Sequence, residues 1–244
     1  MNGFNQSPFA NIPPVVKNLL IINILCFIPV LIFDKGANGP NPIADNFGMF
    51  YFNSPNFRLW EVITYMFVHG NLAHIFFNMF ALFSFGPIVE YAIGSKRFLS
   101  FYFICGIGAI AFQMLVQAYE VHAITGGITI NHPGLDSSYL AFGQEKAIKL
   151  YGIYHTSIVG ASGAIFGLLI AFGMLYPNME LMIMFIPVPI KAKYIIPIYV
   201  VVELFLGVEQ FAGDSVAHFA HLGGALIGFI LVKAWRLQHT DNFY

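Results

Sequence analysis

The sequence predicts an all-α membrane protein, a bundle of six transmembrane helices with long external first and third loops. Composition is the first reason: of 244 residues, 58% are hydrophobic, only 9% are charged, and the mean hydropathy is +0.72. Soluble domains average about 25% charged residues. The second reason is a series of apolar runs close to the roughly 20 residues that a helix needs to cross a bilayer. Such spans fill most of the chain, so we expect a single membrane domain over residues 1–244.

The first predicted span covers residues 15–33. This run is too long for the apolar core of a signal peptide, and Asp34-Lys35-Gly36 follows it in place of a small-residue cleavage site. We therefore expect it to be retained as a helix. The remaining predicted spans are 72–93, 98–119, 156–176, 194–208 and 215–236.

The distribution of lysine and arginine predicts the orientation of this bundle. Seven basic residues fall on one side of the six-span arrangement and four on the other, and the richer side is normally cytoplasmic. The first group is Lys17, Lys96, Arg97, Lys191, Lys193, Lys233 and Arg236, and the second is Lys35, Arg58, Lys146 and Lys149. Both termini are then cytoplasmic. The net charge of -1 and the lack of a basic stripe argue against nucleic acid as a partner.

Two long connections fall on the external side. The first, residues 34–71, contains prolines and a group of aromatic residues that suggest a segment in the membrane interface, namely Phe50, Tyr51, Phe52, Phe57 and Trp60. The second, residues 120–155, is polar and rich in glycine, and its role is open. Connections of this length in a compact domain are usually functional or disordered.

Three of the predicted spans carry an unusual polar residue near the external end. With a rise of about 1.5 Å per residue, Ser162 and His221 lie roughly 10 and 9 Å below the starts of the fourth and sixth spans. By the same rule Asn78 lies roughly 9 Å below the start of the second span. Polar groups are costly in lipid and often mark functional sites there. Three such groups at one depth predict a single site.

Small residues predict how the fourth and sixth spans approach each other. Each contains a G-x-x-x-G pair, a spacing that lets helix backbones come close in lipid. The pairs are Gly163 with Gly167 and Gly224 with Gly228. If these glycines face each other, Ser162 and His221 meet at the edge of the seam, and Phe166 covers their contact.

A serine and a histidine at this depth predict nucleophilic catalysis. A hydroxyl needs a base to remove its proton, and an imidazole with a pKa near 6.5 is suited to that role at neutral pH. No carboxylate is expected to complete a triad, because Asp214 is too close to its helix start and Glu203 lies on another helix without a geometric reason to approach. His218, three residues before His221, is a less favoured second base because it lies nearer the water interface.

His74 and Asn78 are four residues apart on one face of the second span, so both could donate hydrogen bonds to one point. A peptide carbonyl under attack develops a negative oxygen that such donors stabilise, and loss of one donor typically costs about 10²- to 10³-fold in rate. Asn78 could instead serve only as a hydrogen bond between helices.

Taken together, these motifs resemble the rhomboid intramembrane serine proteases of the basic six-helix type. The G-x-S-G run at 160–163, the H-x-x-G-x-x-x-G run at 221–228, and His74 with Asn78 carry the resemblance. It implies that Ser162 is the nucleophile, that His221 is the general base, and that the oxyanion donors are the Ser162 backbone N–H, His74 and Asn78. It implies supporting roles for His69, Gly160, Gly163, Phe166, Gly224 and Gly228, with Phe166 stacked on the base and His69 supporting the first loop.

The resemblance also implies how the protein moves and where it departs from the family. Residues 195–206 of the fifth span would form a mobile lateral gate, and the external loop before His218 would form a cap. The family often has Trp-Arg in the first loop, whereas this chain has Trp60-Glu61, which puts the local loop contacts in doubt. The compact design fits a multi-pass protein of a prokaryotic inner membrane.

The function expected from this resemblance is a serine-type endopeptidase that cleaves transmembrane or membrane-proximal segments through a Ser-His dyad, with no cofactor and no metal. Its partners would be transmembrane protein substrates and the lipid bilayer. The main alternative is a non-catalytic rhomboid-like protein that binds client transmembrane helices. A metalloprotease is disfavoured because no H-E-x-x-H motif or adjacent carboxylate accompanies the candidate ligands His69, His74, His218 and His221. A transporter is disfavoured because paired half-repeats are not visible.

Overall fold

A computed structural model of the chain describes residues 12–33, 41–183, 186–209 and 217–238. Within these residues ten α-helices are present, together with a 3₁₀ turn at Tyr65–Phe67 and one β-hairpin. The helices are α1 (Pro14–Phe33), α2 (Pro42–Phe47), α3 (Glu61–Thr64), α4 (Leu72–Ile93), α5 (Ser95–Thr125), α6 (Asp136–Leu140), α7 (Gln144–His155), α8 (Ser162–Leu175), α9 (Ala192–Glu209) and α10 (His218–Ala234).

Three of these helices, α1, α4 and α5, are long and apolar enough to cross a membrane. Two further apolar helices are shorter, with 14 residues in α8 and 17 in α10. The 18 residues of α9 include three charged side chains, Lys193, Glu203 and Glu209. The protein is thus mostly helical with several apolar helices, while the count of six membrane crossings stays a prediction.

The boundaries of the second span are correct as predicted, whereas those of the fourth are wrong. The side chain of Asn71 accepts a hydrogen bond from the His74 backbone N–H at the start of α4, and Gly94 ends the helix at a φ of 81°. The fourth span was expected from residue 156, but α8 begins at Ser162. Ser162 is therefore the first residue of its helix, and the predicted distance of roughly 10 Å between it and the helix start is wrong.

Residues 158–160 are not helical because their backbone groups pair with the first loop. The N–H and carbonyl of Ile158 bond with those of Met49 at 2.8 Å each, and the Gly160 N–H donates to the Tyr65 carbonyl at 2.9 Å. Gly160 has a φ of 126°, a conformation that a helix does not contain. The starts of α1, α5 and α9 differ less, since they lie one to three residues before the predicted ones. Helix α5 ends at Thr125, six residues after the predicted end at 119, and α10 begins at His218, while the predicted start at 215 lies outside the described residues.

The predicted external loop 120–155 is mostly helical, which corrects the expectation of a long loop there. It contains the last turn of α5, all of α6 and all of α7. Although α7 is polar overall, its buried residues Ala147, Leu150 and Tyr154 share one face and pack with Tyr51 of the first loop. The segment packs between the first loop and α5.

The first loop is a folded segment. Phe50 and Tyr51 are buried in the protein, so these two aromatic residues do not form a membrane-interface surface, while Phe52 and Trp60 are exposed. Glu61, at the position where the family that the motifs resemble often has arginine, is fully buried, and one of its oxygens accepts a hydrogen bond from the Phe50 N–H at 3.1 Å. Burial raises the pKa of Glu61. Its role here is to hold the loop backbone.

A β-hairpin joins α8 to α9 and was not predicted, so the fold is not purely helical. Strands β1 (Glu180–Ile183) and β2 (Ile186–Lys191) pair antiparallel, with Glu180 opposite Lys191. Two prolines in the run Ile-Pro-Val-Pro-Ile-Lys disfavour a helix over this stretch, although they also made it hard to recognise as a strand.

The bundle is closest where α8 meets α10. A Cβ atom added to Gly224 would lie 1.9 Å from the Gly163 carbonyl oxygen, and one added to Gly228 would lie 2.6 Å from the Gly167 Cα. The two helix backbones therefore touch along the glycine seam, as the spacing predicted. Helix α5 packs on the other side of both, and α9 lies against α8 and α10.

Candidate active site

Ser162 stands at the N-terminus of α8. The first hydrogen bond of this helix runs from the Ile165 N–H to the Ala161 carbonyl, so the Ser162 N–H lies outside the i→i−4 ladder. A helix N-terminus carries partial positive charge, which favours negative charge on atoms near it. The start of α8 at Ser162 thus gives the serine both a hydroxyl and a backbone donor at one place, which the predicted start at residue 156 would not.

The imidazole of His221 contacts the serine directly. Its Nε2 lies 2.7 Å from Ser162 Oγ. Its ring stacks on that of Phe166, with ring centroids 4.4 Å apart and planes within 9° of parallel. Because Phe166 belongs to α8, the helix that carries the serine also fixes the plane of the His221 ring. The arrangement can transfer a proton from the hydroxyl to the ring.

The second ring nitrogen of His221 is bonded to Glu203, a residue for which no such contact was expected. His221 Nδ1 lies 2.9 Å from Glu203 Oε2, and His218 Nδ1 lies 2.7 Å from the same oxygen. The expectation that neither Asp214 nor Glu203 approaches His221 is therefore wrong for Glu203. Ser162 is hydrogen-bonded to His221, whereas the contact found for His218 is with the carboxylate of Glu203. This geometry favours His221 over His218 as the candidate base.

His74 faces the same space as the serine. The Gly70 N–H donates to His74 Nδ1 at 3.3 Å, which leaves the ring proton of the neutral imidazole on Nε2. A Cβ atom added to Gly160 would lie 2.7 Å from His74 Nε2 and 3.5 Å from Ser162 Oγ. An Nε2–H donor and the hydroxyl therefore border one small volume, and glycine at 160 keeps that volume open.

Asn78 and His69 lie next to this donor. The buried Asn78 side chain donates from Nδ2 to the His74 carbonyl at 2.9 Å, so one of its two amide hydrogens is used within α4. His69 is fully buried, and its ring packs edge to face on that of His74 with centroids 5.1 Å apart. Burial, with a smaller contribution from His74, lowers the pKa of His69 to about 3. A neutral His69 therefore supports the His74 ring and the adjacent loop.

A cavity of about 380 Å³ lies between α5, α7, α9 and α10. Its wall includes Gln113, Gln117, Lys149 and Thr156, with His218 at one side. Polar side chains in a cavity of this size can bind several water molecules. The cavity therefore offers a polar space that reaches His218, one turn before His221 on α10.

Glu203, His218 and His221 also present three potential metal-ligand atoms within 4.8 Å of one another. Two imidazoles and a carboxylate are a common zinc-ligand set. Here, however, both Nδ1 atoms are hydrogen-bonded to the carboxylate and His221 Nε2 is bonded to the serine. The hydrogen bonds of Glu203 are thus accounted for by the two imidazoles, and the absence of a metal stays a prediction.

The chain is similar to several known proteins. It is 28% identical over 214 residues to an uncharacterised mitochondrial rhomboid protein of Schizosaccharomyces pombe, covering 76% of this chain and 54% of that protein. It is 26% identical to the mitochondrial RHOMBOID-like protein 12 of Arabidopsis thaliana, covering 94% and 60%. It is 28% identical to Rhomboid protease AarA of Providencia stuartii, covering 90% and 71%. The chain spans little more than half the length of the first two relatives.

These relatives bear on localisation and family. Two are mitochondrial by name and one is bacterial, so they do not support the predicted prokaryotic inner membrane. A family model, the Rhomboid domain, matches residues 56–237. This match covers most of the chain and includes the serine, the histidines and both glycine pairs. The chain therefore belongs to the rhomboid family.

Proposed function

We propose that this chain is an intramembrane serine endopeptidase that hydrolyses peptide bonds in transmembrane or membrane-proximal segments of other proteins. The observation that carries the proposal is the 2.7 Å contact between Ser162 Oγ and His221 Nε2. A chain that only bound client helices would need neither the short contact nor the stacked imidazole. Rhomboid protease AarA is a protease by name, and the similarity to it supports the same activity.

In the proposed mechanism His221 Nε2 takes the proton of the Ser162 hydroxyl as Oγ attacks the peptide carbonyl carbon. The carbonyl oxygen becomes negative and accepts hydrogen bonds from the Ser162 N–H, His74 Nε2 and the remaining amide hydrogen of Asn78. The protonated imidazole then gives its proton to the leaving amine. Water from the adjacent cavity hydrolyses the acyl-enzyme, with His221 again acting as base.

The surroundings of the site fit a substrate that arrives from the membrane. We propose that all six apolar helices cross the bilayer and that residues 1–244 form one membrane domain. The outer face of α9 exposes large apolar side chains, including Val201, Leu204 and Phe205, which suits a helix that separates the site from lipid and could act as the gate. The predicted cap, the loop before His218, lies largely outside the described residues.

Cleavage of a reporter with a single transmembrane segment by the protein in liposomes tests this proposal. The wild type should release product, while Ser162→Ala and His221→Ala should reduce the rate by at least about 10³-fold, because a dyad without either partner lacks an activated nucleophile. Thermal unfolding in detergent should show that both variants remain folded. Glu209→Gln, at an exposed position on α9, serves as a control that should cleave like the wild type.

Two results would count against the proposal. Cleavage by Ser162→Ala at the wild-type rate would exclude Ser162 as the nucleophile. Absence of cleavage by the wild type on several reporters, combined with stable binding of those reporters, would favour the non-catalytic alternative.

A further inference from the structure

We propose that Glu203 positions His221 as the base, so that the site contains a Ser162–His221–Glu203 triad whose third member is supplied by α9. The proposal rests on the proposed function and deepens it. The basis is a continuous line of polar contacts from Oγ through both ring nitrogens to the carboxylate. The distances are 2.7 Å from Ser162 Oγ to His221 Nε2 and 2.9 Å from His221 Nδ1 to Glu203 Oε2.

Glu203 lies on the buried face of α9, which indicates that its contact with His221 is specific. The buried residues of α9 are Ala192, Ile196, Glu203 and Gly207, and Glu203 is the charged residue among them, with 5% of its surface exposed. A carboxylate in this environment is costly unless hydrogen bonds compensate for lost solvation. Glu203 receives two such bonds, from His218 and His221, so its burial is accounted for by the site itself.

The carboxylate determines which nitrogen of His221 carries the proton. An ionised carboxylate only accepts hydrogen bonds, so His221 Nδ1 must carry the hydrogen that points to Oε2. Nε2 of the neutral ring then holds the free electron pair that faces the serine hydroxyl. This is the tautomer that a general base requires, and the negative carboxylate also stabilises the imidazolium that forms when the base accepts the serine proton.

His218 and Gly207 hold the carboxylate at this position. His218 bonds to the same Oε2 from one turn earlier on α10, which prevents the carboxylate from turning away from His221. A Cβ atom on Gly207, one turn after Glu203, would lie 3.2 Å from the His218 Cβ, so glycine allows α9 to sit close to α10 here. Because α9 brings the carboxylate, the triad is complete only while α9 is packed against α10.

Glu203→Gln tests this role because glutamine has the same shape and retains an oxygen acceptor but lacks the charge. We expect kcat for the reporter to fall at least about 10-fold with KM within about twofold of the wild type, since replacing the carboxylate of a catalytic triad by its amide can lower kcat by up to about 10⁴-fold. The rate at which a small fluorophosphonate labels Ser162 should fall by a similar factor. This reagent does not depend on passage of a helix past α9. Glu209→Gln is the matched control and should change neither rate.

Failure of the triad and failure of the protease assignment give different results. Rates are normalised to the folded fraction, and Glu203→Asp, which keeps the charge on a shorter side chain, should recover part of the labelling rate. Equal labelling and equal kcat in Glu203→Gln and the active wild type would overturn the triad while leaving the protease assignment intact. A rise in KM alone would also overturn it, because that pattern indicates only a gate. Loss of wild-type activity in EDTA would overturn it by indicating that Glu203 binds a metal.

Discussion

At the scale of single residues, the site depends on one glycine as much as on its reactive groups. Gly160 adopts a φ of 126°, a conformation that residues with a Cβ rarely adopt. This turn ends the extended segment that pairs with the first loop and lets α8 begin at Ser162. It also leaves the space into which His74 Nε2 and Ser162 Oγ face. Glycine at position 160 therefore both allows the turn before α8 and keeps the proposed oxyanion pocket open.

Gly160→Ala should lower the rate of reporter cleavage by at least about 10-fold. The added methyl group would lie 2.7 Å from His74 Nε2, so the ring must move, and removal of one oxyanion donor typically costs 10²- to 10³-fold. Gly134→Ala is the control, since Gly134 has open space around it and an ordinary φ. If Gly160→Ala cleaved the reporter as fast as Gly134→Ala, His74 in its present position would not be required as an oxyanion donor.

Local motifs predicted which reactive residues belong together, but they did not predict Glu203. Ser162, His74 and His221 each sit within a recognisable spacing of polar and small residues, and the glycine stripes indicated that their helices touch. Glu203 has no local signal, because its partners are 15 and 18 residues away on another helix. The usable clue was the spacing of seven residues between Ile196 and Glu203, which places both on the buried face of α9.

At the scale of elements, the glycine seam between α8 and α10 holds the two reactive side chains at bonding distance. Ser162 and His221 lie at the same end of this seam, and the backbone contact below them leaves little freedom for one helix to slide along the other. Interiors packed this tightly do not accommodate added atoms without a shift of the backbone.

Gly224→Ala should destabilise the protein by about 1–3 kcal/mol and reduce cleavage together with stability. The added Cβ would lie 1.9 Å from the Gly163 carbonyl oxygen, so α10 must move away from α8. Thermal or denaturant unfolding in detergent measures the change. Gly152→Ala on α7, where a Cβ meets open space, is the matched helical control and should be neutral or slightly stabilising. Equal stability of both variants would mean that the seam is not close-packed.

Element boundaries were predictable only where local signals end a helix. The Asn71 cap and Gly94 delimit α4 as the sequence indicates. The start of α8 was not predictable from apolar content, because Ile158 and Val159 continue the apolar run while their backbone is extended. What excludes a helix there is the pairing of Ile158 with Met49, more than 100 residues earlier in the chain. Helix α7 was not predicted because its overall composition is polar, although one of its faces is apolar and buried.

At the scale of the whole molecule, the two ends of the bundle differ in the polar and charged residues that they carry. Ser162, His74 and His221 all lie near the starts of their helices and therefore meet at one end. At the opposite end Glu90, near the end of α4, accepts hydrogen bonds from the Val15 and Val16 N–H groups and joins the start of α1 to that end. The lysine-rich helix ends belong to this second end, which predicts that it is cytoplasmic.

Cysteine labelling in spheroplasts of an expression host tests this orientation. In a background with Cys26 and Cys105 replaced by alanine, a membrane-impermeant maleimide should label Lys146→Cys without permeabilisation. Lys96→Cys should be labelled only after the membrane is opened. Both positions are exposed in the protein, so burial does not explain a difference. If only Lys96→Cys were labelled in intact spheroplasts, the protein would have the orientation opposite to the predicted one.

The central claim is that His221 activates Ser162, and the most direct measurement is the site of fluorophosphonate attachment found by mass spectrometry. The wild type should carry the adduct on the peptide that contains Ser162, and the His221→Ala variant should carry little or none under the same conditions. An adduct of equal yield in His221→Ala, or a wild type that cleaves the reporter while Ser162 remains unmodified, would contradict the claim.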